Sequence, residues 1–169
     1  MRYRLPETED KEILKDYVWE HLEHGENDIG ASLGLTAMDY EKWLEMVHRN
    51  ADKGDEIWGR SLLYLCFDEE KLIGLLTIRY ELPDSLTDRY GNIGYGVRPS
   101  ERNKGYASEM LGYALSVCKE KGMDKVIVGC VIDNLTSAEV IRKNGGIFIS
   151  ENENKKMGKT CRYYRIDLG

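Results

Sequence analysis

Hydrophobic and polar positions follow two different periods along this chain, and these periods predict its elements. In some segments apolar residues recur every three or four positions, which is typical of an amphipathic helix. In others they recur at every second position, which is typical of a half-buried strand. The predicted helices cover 6–24, 39–49, 104–120 and 134–143, and the predicted strands cover 2–5, 61–67, 71–81, 92–97, 126–131, 147–149 and 162–168.

The segments between these elements are polar or rich in glycine. Residues 68–70 predict the turn of a hairpin, residues 25–34 a loop, residues 83–90 a connection with a helical turn, and residues 151–159 a charged turn. The order of helices and strands indicates an α+β protein. At 169 residues, the chain is expected to form one domain.

Composition narrows the class of protein. Apolar residues make up 41% of the chain and charged residues 32%, as in globular proteins. No apolar run approaches the roughly 20 residues that span a bilayer, and no apolar segment follows the charged start of the chain. Four scattered cysteines form no C-x-x-C pair, which argues against a zinc site and favours reduced thiols. We therefore expect a cytoplasmic protein without metal or membrane.

The most informative segment is 97–107, where a predicted strand passes through a short basic loop into a long helix. Arg102 and Lys104 supply positive charge, Gly105 allows unusual dihedral angles, and Ala107 adds no bulk. The free N–H groups and the dipole of a helix N-terminus favour an anion. This combination predicts a site for a phosphate-bearing ligand.

Two familiar phosphate motifs do not fit the chain. Gly91, Gly94 and Gly96 lack the G-x-G-x-x-G spacing of a dinucleotide fingerprint. Residues 158–160 match the end of a P-loop, but Glu153 stands where its first glycine belongs. The loop at 102–107 is therefore of another kind.

This loop resembles that of the GNAT superfamily of N-acetyltransferases, whose pattern is Arg or Gln, two residues, Gly, one residue, and Gly or Ala. Here the pattern is Arg102, Gly105 and Ala107. A second family motif, an Asn followed by a helix that ends in Gly, is matched from Asn134 to Gly146. The resemblance implies a mixed, mostly antiparallel sheet flanked by helices, with acetyl-CoA as co-substrate.

The resemblance also implies roles for parts of the chain. Residues 1–60 would wall the acceptor side, and 61–169 would form the sheet and the acetyl-CoA core. The pantetheine arm would lie beside the strand 92–97, with the N–H of Val97 as donor to the thioester oxygen. The implied cofactor-binding residues are Val97, Arg102, Asn103, Lys104, Gly105, Tyr106, Ala107, Ser108, Asn134 and Ser137.

Gly94 and Gly96 lie on one face of the same predicted strand. Glycine weakens a strand, so this pair indicates close approach by another group. One interpretation is that the ligand approaches this face, and the loop that follows the strand favours it. The alternative is that the glycines only form a bulge that twists the sheet.

The catalytic residues are harder to assign. Some family members carry a base Glu where this chain has Gly91, and many carry an acid Tyr where it has Ile141. Glu81 and Tyr95 are the nearest substitutes for base and acid. Each has a plainer alternative, since Glu81 would also suit a surface charge and Tyr95 a core aromatic.

Charge is unevenly distributed. Residues 1–60 contain 15 acidic and 8 basic side chains, and 61–169 contain 15 and 16. Nucleic acid is an unsuitable partner because its binding needs a basic patch. An acidic acceptor side would favour a cationic amine, although the same carboxylates also suit the solvated faces of helices.

Together these observations predict an enzyme that transfers an acetyl group from acetyl-CoA to a primary amine on a small molecule or a peptide. Two alternatives stay open. One is a CoA-binding module without turnover, which the missing Glu and Tyr would explain, and the other is an acetyltransferase acting on protein lysines or N-termini. A homodimer is a further expectation from the apolar edges.

Overall fold

The computed structural model describes residues 1–155 and 157–169, with every side chain in these ranges except that of Asp88. The helices are α1 (Lys11–Glu23), α2 (Tyr40–Asp52), α3 (Asp84–Tyr90), α4 (Tyr106–Glu120) and α5 (Leu135–Lys143). The strands are β1 (Arg2–Arg4), β2 (Ser61–Asp68), β3 (Lys71–Arg79), β4 (Ile93–Val97), β5 (Lys125–Val131), β6 (Ile147–Asn154) and β7 (Lys159–Asp167).

The seven strands form one sheet in the order β1-β2-β3-β4-β5-β7-β6. Every neighbouring pair is antiparallel except β4 and β5, which are parallel. The expected mixed, mostly antiparallel sheet flanked by helices is thus confirmed. The parallel pair places the C-terminal ends of β4 and β5 at the same edge of the sheet, and each of these ends leads into a helix.

Each face of the sheet carries its own core. On one face α4 and α5 cover residues such as Leu76, Ile78 and Ile93. On the other face α1 and α2 cover the alternating positions, among them Leu63 and Leu75. The period of two along the strands therefore sorts their side chains between two layers of helices.

Several predicted boundaries were wrong. The strand predicted over 71–81 ends at Arg79, and the connection at 83–90 contains the whole of α3. Strand β6 runs to Asn154 and β7 begins at Lys159, so most of the predicted turn 151–159 is strand; Lys156 of that turn lies outside the described residues. The polar end of β6 gave no apolar alternation because β6 is an edge strand, exposed along most of its length.

Within the described part of the chain, no helix is both long enough and apolar enough to cross a bilayer.

Candidate active site

The site is built around a fork between two parallel strands. Strands β4 and β5 share a single pair of facing residues, Ile93 and Val128, and the pairing stops there. On its other side β4 pairs with β3 over its whole length, from Ile93 to Val97. A gap between β4 and β5 therefore opens from Ile93 toward the C-terminal end of β4.

The closed end of the gap is fixed by Asn92. Its main-chain N–H donates to Ile127 O at 2.6 Å, and the Ile127 N–H donates back to Asn92 Oδ1 at 2.7 Å. On the other side Asn92 Nδ2 donates to Arg79 O at 3.1 Å, and the Arg79 N–H donates to Asn92 O at 2.7 Å. One buried side chain thus joins three strands at the point where two of them part.

Main-chain groups of β4 line the gap. The Arg98 N–H donates to Ile73 O on β3, at 2.8 Å. Since successive residues of a strand direct their N–H groups to opposite sides, those of Tyr95 and Val97 point toward the gap. These are fixed donors of the kind that a carbonyl or an oxyanion needs.

Beyond the open end of the gap lies the loop that carries the basic motif. Asn103 and Gly105 both have positive φ, 62° and 89°. Among the described residues, none accepts a hydrogen bond from the main-chain N–H groups of 103–107. Consecutive free N–H groups in such a turn, at the start of a helix, form a concave anion site. The geometry therefore suits a diphosphate.

The cations of this loop already have partners. Lys104 Nζ lies 2.9 Å from Glu101 Oε2, and Lys71 pairs with the other oxygen of the same carboxylate, so two lysines share one negative charge. These two hydrogen bonds, from Lys71 first and then Lys104, lower the pKa of Glu101.

Arg102 is held by residue 26 of the loop between α1 and α2, called the 25–38 loop below. Its two terminal nitrogens donate to Glu26 at 2.5 and 2.7 Å, and its Nε donates to Val97 O at 3.1 Å. The hydrogen bond from Arg102 is the main cause that lowers the pKa of Glu26 to about 2. Glu26 also contacts Nδ1 of the buried His21 at 2.7 Å.

The remaining predicted cofactor residues are distributed around the gap. Tyr106 donates its hydroxyl to Asp68 at 2.5 Å. Ser108 Oγ accepts from Asn144 Nδ2 at 2.9 Å. Asn134 caps α5, its Oδ1 accepting from the Ser137 N–H at 3.0 Å. The structure thus places Tyr106 and Ser108 on the first turn of α4 and Asn134 and Ser137 at the start of α5.

The two candidate catalytic residues have different surroundings. The Tyr95 hydroxyl lies 2.9 Å from Ser137 Oγ, and burial raises the pKa of this phenol to about 12. Glu81 lies beyond the end of β3 and accepts three hydrogen bonds from Arg60, at 2.6 to 3.1 Å. These bonds lower the pKa of Glu81. Among the described residues there is no metal-binding group of His, Cys, Asp and Glu.

The glycines of β4 have another explanation than the one expected. A Cβ on Gly96 would lie 2.7 Å from Gly30 O, so the 25–38 loop between α1 and α2 occupies that face of the strand. At Gly94 the nearest atom to such a Cβ is the Ala31 side chain, 4.0 Å away. The group that approaches this face closely is the protein's own backbone, and the ligand reading of the pair was wrong for Gly96.

Sequence reasoning missed the contacts that join α1 to the site. Tyr17, fully buried, donates its hydroxyl to Gly96 O at 3.3 Å. The buried Arg98 donates to Asp16 and to Glu20, both at 2.9 Å. These partners are about 80 residues apart in sequence, so no local pattern indicates them.

Comparison with known families decides what this arrangement belongs to. The sequence model of the Acetyltransferase (GNAT) domain matches residues 2–147. The chain belongs to the GNAT acetyltransferase family. No curated protein matches it closely enough to be counted as a relative.

Solved structures share the GNAT fold at low identity. One is yncA from Salmonella typhimurium with acetyl-CoA, at 11% identity and a TM-score of 0.68, covering 99% of this chain and 94% of that one. Another is RimL, a ribosomal L7/L12 α-N-protein acetyltransferase in complex with coenzyme A, at 17% identity and a TM-score of 0.73, covering 99% of this chain and 94% of that one. A third is a variant of spermidine N-acetyltransferase SpeG from Vibrio cholerae, at 14% identity and a TM-score of 0.67, covering 99% of this chain and 95% of that one. At these identities the likeness concerns the fold.

Proposed function

We propose that this GNAT protein transfers an acetyl group from acetyl-CoA to a primary amine by direct attack on the thioester. The observation that carries the proposal is the continuity of two features. A gap lined by strand N–H groups runs into a loop with five free N–H groups. Similar folds hold acetyl-CoA or coenzyme A, according to the descriptions of yncA and RimL.

The residues present fit this co-substrate. The N–H groups of 103–107 would hold the diphosphate, and the net positive charge of Lys71, Lys104 and Glu101 would add attraction at its edge. The strand edge at Tyr95 and Val97 would bind the amide-containing arm as an added strand does. In this arrangement Arg102 shapes the loop through Glu26 and Val97.

The chemistry needs two proton movements. The acceptor amine has a reference pKa of about 10.4 if it resembles lysine, and must lose a proton before it attacks. The departing thiolate must gain one or be stabilised. Tyr95 is protonated at neutral pH, so its hydroxyl can donate to the thiolate, although burial raises its pKa to about 12 and makes it a weaker acid than a free tyrosine.

Glu81 suits the base role less well. Its hydrogen bonds from Arg60 lower its pKa, and a base of low pKa takes up a proton weakly. Water in the gap is the alternative acceptor of the amine proton. Both Glu81 and Tyr95 stay predictions, and the variants Glu81→Gln and Tyr95→Phe test them separately.

The acceptor is an amine, but the acidic N-terminal region does not by itself select a cationic one. Of its carboxylates nearest the site, Asp16 and Glu20 pair with Arg98, and Glu26 pairs with Arg102. We therefore keep both small amines and peptide amines as acceptors, and place the reaction in the cytoplasm, where the four free and buried cysteines stay reduced. A homodimer is compatible with the exposed apolar residues 147–149 on edge strand β6.

The proposal is tested by calorimetry with acetyl-CoA, followed by a thiol-release assay against a panel of amines. We expect binding, and thiol release that depends on at least one amine. Tyr95→Phe should lower kcat by about 10²-fold, as loss of a general acid does, with acetyl-CoA affinity retained. Binding without amine-dependent release would favour the CoA-binding module, and absence of binding would contradict the proposal.

A further inference from the structure

Arg79 lies on the face of the sheet that α1 and α2 cover, the face of Leu75, between the two loops 25–38 and 82–91 that would surround the acceptor. It is the last residue of β3, and it shares a face with Thr77 because strand residues two apart point the same way. Thr77 Oγ1 donates to Ala31 O of the first loop at 3.0 Å. Arg79 Nη1 lies 3.4 Å from Gly91 O, just after α3.

The Arg79 guanidinium has fewer hydrogen-bond acceptors around it than it has donors. It has five N–H donors, and within the part of the chain that the structure describes its side chain makes only that one long hydrogen bond. No carboxylate among the described side chains pairs with it. Burial lowers the pKa of Arg79, with no neighbouring charge acting in the other direction. A partly buried cation without an anion is costly to keep, which favours a role in binding.

Arg98 provides the contrast within the same sheet. It is also buried, and it has two carboxylates and the Leu72 carbonyl oxygen as acceptors. The fold therefore supplies carboxylates where an arginine has only a structural task. At Arg79 most N–H donors of the planar guanidinium have no acceptor among the described residues. Two parallel N–H groups of a guanidinium match the two oxygens of a carboxylate.

The position of Arg79 relative to the reacting thioester follows from the place where strands β4 and β5 part. Gly91 immediately precedes Asn92, which closes the gap between β4 and β5. An extended arm that begins at the loop 103–107 and follows β4 backwards would pass Val97 and bring its thioester toward this closed end. In this arrangement the Val97 N–H binds an amide of the arm and not the thioester oxygen, which the family resemblance implied as its acceptor. The five residues of β4 span about 17 Å, within reach of such an arm. An amine that attacks there would have Arg79 at its side.

We propose that Arg79 binds a carboxylate of the acceptor, so that the substrate is a small amine that also carries a carboxylate, such as an amino acid. The inference rests on the proposed acetyl transfer. It adds a substrate class to it, and it differs from the cationic acceptor that the acidic N-terminal region first indicated.

The test uses pairs of acceptors that differ only in this group, namely amino acids and their amides, in the thiol-release assay with acetyl-CoA. We expect kcat/KM to be at least about 10-fold higher for the acid of a pair, the range of a charged hydrogen-bonded contact. Arg79→Gln should remove this preference, mainly by raising KM for the acid far more than for the amide. Arg79→Lys should retain part of the preference, because it keeps the charge but not the fork.

Two controls distinguish the loss of the Arg79 contact from the loss of any positive charge and from misfolding of the variant. Arg49→Gln removes one exposed positive charge from α2 and should keep the preference. Binding is also read directly, because an amino acid should raise the Tm of the wild type more than its amide does, even if Arg79→Gln does not fold.

Three results would count against it. Equal turnover of acids and amides by the wild type, or an equal loss for both in Arg79→Gln, would overturn the role of Arg79 and leave acetyl transfer intact. Absence of thiol release with every amine would instead contradict the proposed function itself.

Discussion

At the loop end of β4, Arg98, Arg102 and Lys104 each contact a carboxylate. At the closed end, the Arg79 side chain hydrogen-bonds to one carbonyl oxygen, and no described carboxylate pairs with it. The sequence at the loop end predicts a site for a phosphate-bearing ligand. Yet its side-chain cations hold the loop and α1 in place, and the free donors there belong to the main chain. A basic residue in a ligand motif is therefore not evidence of ligand contact by its side chain.

The largest effect is expected at the closed end. Asn92→Ala leaves Ile127 N–H and Arg79 O without their partners in a buried site, so the free energy of unfolding should fall by about 3 kcal/mol. Urea unfolding measures it. Asn134→Ala, which removes one exposed helix cap, is the control and should cost about 1 kcal/mol. Equal losses would show that the closed end is not specially fixed.

The middle of β4 offers a matched pair. Gly96→Ala forces the 25–38 loop away from the strand, because its Cβ would lie 2.7 Å from Gly30 O, and should lower the free energy of unfolding by about 2 kcal/mol. Gly94→Ala meets only ordinary contact and should change stability by less than about 0.5 kcal/mol. Thermal unfolding of both variants tests the contrast, which fails if the two melt alike.

The role of Arg102 can be separated from ligand contact by a double variant. Arg102→Gln leaves the Glu26 carboxylate without its arginine partner beside the loop 103–107, with only the contact to His21 Nδ1 among the described residues, and should weaken acetyl-CoA binding about 10-fold, measured by calorimetry. Adding Glu26→Gln removes that repulsion and should return the affinity to within about 3-fold of wild type. If the double variant binds as weakly as Arg102→Gln alone, Arg102 contacts the ligand and the comparison of the two ends breaks down.

The smallest effect is the acid dependence of the same pair. The pKa of Glu26 is lowered to about 2, so the pair stabilises the native state above the ordinary glutamate pKa and is lost as the pH falls toward 2. The free energy of unfolding of Glu26→Gln should lie on the order of 1 kcal/mol below wild type at pH 6, and the difference should vanish near pH 2. Urea titrations across this range measure it.

Glu23→Gln, at an exposed position on α1, is the control for loss of one negative charge. A constant difference between Glu26→Gln and wild type from pH 6 to pH 2 would contradict the assignment of the pH dependence to this ion pair.

The parts of the site that are local in sequence could be predicted. The strand before Arg98, the loop at Gly105 and the helix after it follow from hydrophobic period and from glycine placement within about 25 residues. The cap at Asn134 has the same origin. What these share is that their hydrogen bonds join residues a few positions apart, so the sequence carries the signal directly.

The contacts that give the site its character join distant residues. Glu26 meets Arg102 across 76 positions, and Gly30 meets Gly96 across a similar distance. The role of Asn92 depends on three strands being assembled. A single sequence holds no register between such segments, so these contacts could not be found in it. A polar residue at the start of an apolar strand, as at Asn92, is the one signal that could have drawn attention.

The contact between Gly30 and Gly96 involves main-chain atoms on both sides. The position of this loop on the sheet therefore does not depend on the exposed side chains beside the contact, such as those of Asn27, Asp28 and Thr36. Those positions form a surface that can be randomised while the scaffold beneath keeps its shape. In the proposed reaction, a library at these positions would be the way to seek a new acceptor.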